Sequence, residues 1–289
     1  MTDDTLPRDA FAATDKAAWL AAMESIGETE GYFQPLGARH WAMFADDSTT
    51  LLVSFETVDA SLARADQMPM GRIVAESKGW SHLCLIADGP TWFRDPAVYS
   101  FFDRLVEDAF FEDFDRVVFH GSGMGAYAAC AFSVTAPEAT VIAVQARATL
   151  DPARTGWDPR DRKQRRLDFT SRYGFAPDMI EGAGGVFLIY DPLFAPDAAH
   201  AALFDRANVT RLQCRGGGGE LGTMLEQMAI VPRLLESAGE GRISAAIFAR
   251  LWRRRHQHEP YLRRLLTLNR DKPRRTRPVL EALRVIRDS

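Results

Sequence analysis

A chain of 289 residues, 46% of them hydrophobic, has enough apolar content for one α/β domain with appendages or for two small domains. No apolar run approaches the ~18 residues of a membrane span, and residues 1–16 are acidic and polar with no signal-peptide core. A cytoplasmic bacterial protein is therefore expected. The net charge of −4 hides an asymmetry: 14 Lys and Arg face 4 Asp and Glu beyond Gly241, leaving 21 against 35 before it. An acidic body with a basic tail implies an internal clamp, a solvated helical face or an acidic partner.

In chain order, residues 15–26 have apolar positions at helical spacing, with Thr14 as N-cap and Gly27 to Gly31 as the stop. Residues 40–44 and 50–55 are strand-like around Ala45-Asp46-Asp47-Ser48, which predicts a hairpin. A loop-and-helix excursion follows over residues 57–70. Residues 81–87 form the next strand, ending in Asp88-Gly89-Pro90; Trp92, Phe93 and Arg94 follow, and Pro96 opens a helix running to about Glu112. Its aromatics Tyr99, Phe101, Phe102, Phe110 and Phe111 are expected to face a sheet.

Residues 116–120 then make a short β-branched run, read as a buried parallel strand. Gly121, Gly123 and Gly125 punctuate a tight turn, and residues 126–132 are small and apolar, as a helix lying flat on a sheet requires. Strand, glycine turn and helix resemble the G-x-S-x-G nucleophile elbow of the α/β-hydrolases. With Gly121 and Gly125 on the flanking glycines, the nucleophile position holds Gly123, and Ser122 comes one residue early. Glycine keeps a strained turn at little steric cost while removing the attacking oxygen. Ser122 should point to another side, either supporting the turn or acting as a displaced nucleophile. Met124 and Tyr127 read as packing residues.

Residues 140–144 are another strand, and Gln145 and Arg147 leave its carboxyl end, the edge where open α/β sheets bind ligands. Arg147 is a candidate anion-binding cation or the partner of a nearby acid. Residues 157–173, with Arg160, Arg162, Lys163, Arg165 and Arg166, read as a charged helix, either a lid or a solvated face. Residues 184–190 make a strand, after which Asp191 and Asp197 lie where the resemblance places the hydrolase acid. Asp197 equally suits an N-cap for residues 198–204. The last strand is 209–214, and the resemblance implies a histidine just beyond it. The chain instead reads Arg215-Gly216-Gly217-Gly218-Gly219-Glu220, with no histidine between His200 and His256. His256 and His258 lie far along a basic segment. The glycine run lacks the G-x-x-x-x-G-K-[ST] pattern of a phosphate loop. Residues 220–237 and 243–257 predict two helices, and Pro260 and Pro273 divide the remainder into short pieces. Cys84, Cys130 and Cys214, odd in number and widely spaced, read as buried thiols, with no metal site and no cofactor expected.

The resemblance spans about residues 51–238. It implies an α/β fold, α/β-hydrolase-like, with a mostly parallel sheet and helices on both faces, plus a basic helical C-terminal extension. The expected divisions are a helical lead-in over 1–36, the α/β-hydrolase-like domain over 37–240 and the extension over 241–289. Within the superfamily, GSGMGAYAA followed by ATVIAVQARATLDP is similar to bacterial domains found near surface-polysaccharide and glycosyltransferase genes. Those usually read G-S-S-M-G-G, and this chain departs at Gly123 and Ala126. The whole chain also resembles proteobacterial proteins commonly labelled phosphoadenosine phosphosulfate reductase. That activity would need an S-G-G-K-D-type loop and a reactive C-terminal cysteine, whereas Cys214 sits in a strand.

The expectation is a pseudo-hydrolase, a binding or scaffold protein whose pocket is lined by Gly121, Gly123, Met124, Gly125, Gln145 and Arg147. It would take a small anionic ligand or a protein partner. One alternative is acyl-ester hydrolysis or acetyl transfer connected with surface polysaccharide, by Ser122 or by a water that Asp191 or Asp197 activates. The tail residues Arg253, Arg254, Arg255, Arg274, Arg275 and Arg277 are candidates for contact with nucleic acid or an anionic membrane.

Overall fold

The structure, a computed structural model, describes residues 13–288; the acidic leader over residues 1–12 lies outside the described residues. Helix α1 (Lys16–Glu30) is capped by Asp15, whose side chain accepts the Ala18 N–H at 2.9 Å. The cap is thus one residue later than Thr14. Trp19, Met23 and Ile26, at helical spacing, bury one face of α1.

Strand β1 (Gly31–Leu36) turns at Gly37 into β2 (His40–Ala45), and this antiparallel pair is the hairpin of the fold. The hairpin expected between residues 40–44 and 50–55 does not form. Strand β3 (Thr50–Thr57) instead lies between β4 (Ser81–Ala87) and β5 (Arg116–Ser122), parallel to both. The reason is in its side chains: residues 51–55 are all buried, so β3 needs cover on both faces and takes a central place. Strand β2 pairs antiparallel with β4 on its other side. With β6 (Thr140–Val144), β7 (Gly185–Tyr190) and β8 (Val209–Gln213), the sheet order is β1-β2-β4-β3-β5-β6-β7-β8, parallel from β4 onward.

After β3 come α2 (Val58–Leu62) and α3 (Met70–Lys78). Helix α4 (Pro96–Glu107) is capped by Asp95 and stops short of Glu112. Ala109 turns left-handed at φ 53° and a 3-10 turn, Phe110–Asp113, replaces the last part of the expected helix. Helix α5 (Met124–Phe132) follows the elbow, and α6 (Pro152–Thr155) and α7 (Ala176–Met179) are single turns. Between those two, residues 157–173 are turns with one 3-10 segment, Gln164–Arg166, not the expected helix. Asp158 takes the Arg160 N–H and Asp168 takes the N–H groups of Thr170 and Ser171, so local side-chain acceptors outcompete helical carbonyls.

Helix α8 (Ala195–Leu203) precedes β8. The expected helix over 220–237 is broken into α9 (Leu221–Gln227) and α10 (Ile230–Gly239) by Ala229 at φ 48°. The tail holds α11 (Ala245–Leu251), a 3-10 segment Trp252–Gln257, α12 (Glu259–Leu268) and α13 (Pro273–Asp288).

One face of the sheet packs against α4 and α5 through a ladder of rings in which Phe55, Phe102 and Phe132 are stacked. The other face packs α3, α9 and α10 together with Phe248, Trp252, Tyr261 and Leu262 of the tail. The three cysteines are buried and free.

Candidate functional site at the glycine elbow

The carboxyl edge of β5 delivers the chain into the elbow. Gly123 sits at its apex with φ 57° and ψ −111°, at the start of α5, whose first turn has no side-chain cap. A Cβ at Gly121 would overlap the carbonyl of Gly125, and one at Gly125 would overlap Phe55 O, so both flanking positions admit glycine alone. At Gly123 a Cβ would meet nothing nearer than Arg147 Nη1 at 3.9 Å. The apex has room for a side chain and carries none. Ser122 points elsewhere, against α9, with its Oγ filling the place a Gly222 side chain would take.

Above the apex lies a cleft of about 460 Å³ lined by Thr57, Asp59, Trp92, Ser122, Gly123, Met124, Gln145, Arg147 and Asp161 among others. Gly121 and Gly125 are not on its wall. They lie beneath the apex, on a cavity of about 100 Å³ shared with His120, Ser122 and Glu226. Arg147 both faces the apex and pairs with an acid: its Nε is 3.2 Å from Asp161 Oδ2, in a geometry that leaves both atoms without a hydrogen bond. Its guanidinium also lies over the Trp92 ring at 5.4 Å. Burial, aided by Arg160, lowers the Arg147 pKa against the pull of Asp161. Trp92, Gln145 and Asp161, all on the cleft, have positive φ between 51° and 57°. Strained non-glycine backbone of this kind gathers where a site over-determines it.

The loop after β8, where the resemblance implies a histidine, explains its own glycines. Helix α12 presses on it, so a Cβ at Gly218 (φ 73°) would overlap the Arg264 guanidinium, and Tyr261 Oη donates to Arg215 O at 3.0 Å. The buried Asp191 carboxylate accepts the N–H groups of Gly216 at 3.1 Å, Gly218 at 2.8 Å and Leu193 at 2.9 Å. The carboxylate at the acid position is thus bound to loop backbone.

Asp197 is not an N-cap. Helix α8 starts at Ala195, and Asp197 is buried inside its first turn, accepting Gln145 Nε2 and Arg160 Nη1, both at 2.6 Å. Gln145 Nε2 also donates to Gly219 O at 2.9 Å, and Gln145 Oε1 accepts the Gly222 N–H at 3.1 Å. Gln145 therefore ties the β6, β8 and α8 ends together behind the cleft.

His200, 42 residues from its partner, is a further buried member of this wall. Its Nε2 donates to Asp158 Oδ2 at 3.0 Å and its Nδ1 accepts the Ala148 N–H at 3.1 Å, so both ring nitrogens are used. Burial lowers the His200 pKa, with Asp158 opposing. Burial raises that of Asp158, but bonds from His200 and Arg160 outweigh it and hold the carboxyl well below its ordinary range. His256 and His258 are not on the cleft; His258 bonds Gln227 and the Tyr261 N–H. In the tail, Arg254 and Arg255 donate to backbone carbonyls and Arg277 pairs with Glu281. Arg253, Arg274 and Arg275 have no ion-pair partner among the described residues.

Sequence reading did not single out Thr57, Asp59, Trp92 or Asp161, which reach the cleft from the end of β3, the first turn of α2 and two separate turns. Only Trp92 had a local signal, standing just after the Asp88-Gly89-Pro90 strand end.

The sheet order and the elbow define the class: the chain has the α/β-hydrolase fold. No protein-family model matches it, and none of the curated proteins matches its sequence. Among solved structures it is similar to the glycosylation associate protein (Gap123) complex from Streptococcus agalactiae, with a TM-score of 0.50 and 15% identity. That likeness covers 71% of this chain and 46% of the other, so this chain spans about half of it. It is also similar to an esterase from Pyrobaculum calidifontis (TM-score 0.47, 12% identity, 78% of this chain and 89% of that one). A third is the capsule O-acetyltransferase of Neisseria meningitidis serogroup A (TM-score 0.45, 9% identity, 70% and 94%). These likenesses are of fold.

Proposed function

We propose that this is a binding protein on a hydrolase fold, whose cleft holds a small anionic ligand without hydrolysing it. The observation that carries the reading is Gly123 at the strained apex, with open space where a nucleophile's side chain would stand and Arg147 facing it. Two features support it. The Asp191 carboxylate is spent on Gly216 and Gly218, and among the described residues no histidine lines the cleft. The uncapped first turn of α5 and the Arg147 guanidinium together favour negative charge at that point. Free buried thiols fit a cytoplasmic setting. A sulfonucleotide reductase is not supported, since burial holds the Cys214 thiol far above its ordinary pKa.

The test is direct. Wild-type protein should neither turn over p-nitrophenyl esters nor be labelled by a fluorophosphonate. It should bind inorganic phosphate, followed by calorimetry or tryptophan fluorescence, and Arg147→Ala should weaken that binding about tenfold or more. Stoichiometric fluorophosphonate labelling would overturn the reading.

A second reading, acyl-ester hydrolysis or acetyl transfer at Ser122, has one observation in its favour. Ser122 lines the cleft and shares the smaller cavity with His120, two residues back on the same strand face. His120 Nδ1 bonds Ile142 O at 2.9 Å, and burial lowers its pKa to about 4, so Nε2 is a neutral acceptor. On this reading both labelling and turnover appear, and both vanish in Ser122→Ala.

A further inference from the structure

We propose that the chain self-associates, the acidic apolar groove of one copy receiving the basic apolar face of a second. The first patch is a groove of about 590 Å³ at the amino edge of the sheet, the edge opposite the cleft. The end of α4, the Phe110–Asp113 turn and the Ser133–Thr135 turn enclose it. Val106 and Val134 stand 51% and 43% exposed on its wall. Glu112, Asp115 and Glu138 rim it, against the single base Arg116. Glu112 and Glu138 have no ion-pair partner among the described residues.

The second patch is a groove of about 350 Å³ between α12 and α13. Leu266, Leu280 and Leu283 form its floor, with Arg263, Arg284, Arg287 and Glu259 around them. Glu259 is committed to Arg263, and Arg284 has no ion-pair partner among the described residues. Leu280 and the nearby Leu268 are each 47% exposed.

Charge and topology together select a second copy as the occupant. Each patch offers exposed aliphatic surface with the charge the other lacks, and the chain is built of an acidic body and a basic tail. The first patch belongs to the α4 side of the sheet, and α13 packs on the opposite side, so one copy does not close on itself. The contact leaves the cleft at the carboxyl edge open.

The test is sedimentation or light scattering of the full chain at 50 and 500 mM NaCl. Wild type should associate in a concentration-dependent manner at low salt, with at least a tenfold weaker midpoint at high salt. Glu112→Arg with Glu138→Arg, and separately Arg263→Glu with Arg284→Glu, should each yield monomer. All four substitutions together should restore association. These side chains are exposed, and unchanged circular dichroism checks that each variant folds. A wild type that stays monomeric at low salt overturns the proposal. So does association that neither reversal disturbs, or loss that the combined exchange fails to restore. In the first case, low-salt binding of the tail to nucleic acid or anionic vesicles would identify it as a surface for such partners instead.

Discussion

At the scale of single residues, the flanking and the apex glycines of one turn have different reasons to be glycine, and substitution separates them. Gly125→Ala drives a methyl into Phe55 O and should cost roughly 2–3 kcal/mol or more in a denaturant titration. Gly123→Ser meets open space and should cost only the strain of a left-handed residue, roughly 1–3 kcal/mol, while leaving the fold intact. It should also remain inert towards p-nitrophenyl esters, because restoring the hydroxyl does not restore a base. Esterase activity in Gly123→Ser would show that a proton acceptor reaches the apex after all.

At the scale of the element, the segment 157–173 is held by Arg94. This buried guanidinium donates to Asp168 O at 2.7 Å, Arg172 O at 2.8 Å and Ser171 Oγ at 2.9 Å, and lies over the Tyr99 and Phe169 rings. Without it those carbonyls lose their donor and the segment loses its anchor to α4 and α5. In Arg94→Ala, amide hydrogen exchange over residues 161–173 should quicken at least tenfold, with the strands unchanged. Exchange that is uniform along the chain would mean that Arg94 supports the whole core rather than this one segment.

At the scale of the whole molecule, buried histidines set the response to acid. Burial lowers His40 to about 4, with Asp95 opposing; burial and Arg72 lower His82 to about 3; burial lowers His120 to about 4. Each folded-state value lies below the unfolded value near 6.5, so the unfolded chain binds more protons below that pH. Stability is therefore complete above about pH 6.5 and declines as pH falls towards 4. At pH 5 each of these histidines should account for roughly 1–2 kcal/mol of that loss. Thermal melts at pH 7.5 and pH 5 should show the fall, and His82→Gln should flatten it. A melting temperature that is level between those values would mean the rings are already charged in the fold.

What local chemistry dictates was legible in the chain. The boundaries of β4 and β6 match the expected runs, because β-branched and apolar residues there stand between clear stops such as Asp88-Gly89-Pro90. Gly123 could be placed at the turn because the flanking glycines mark the close approach of two backbones. Distance defeated the rest. The pairing of β3 with β4 and β5 rather than β2 depends on which strand needs cover on both faces. Asp191 looked like a stray catalytic acid until α12, some seventy residues later, pressed the glycine loop against it. Asp197 read as a cap until Gln145 and Arg160 arrived from other segments to claim both oxygens. Periodicity and turn chemistry act between neighbours and survive in the sequence; burial, long-range pairing and the charge a side chain meets exist only once remote segments share a volume.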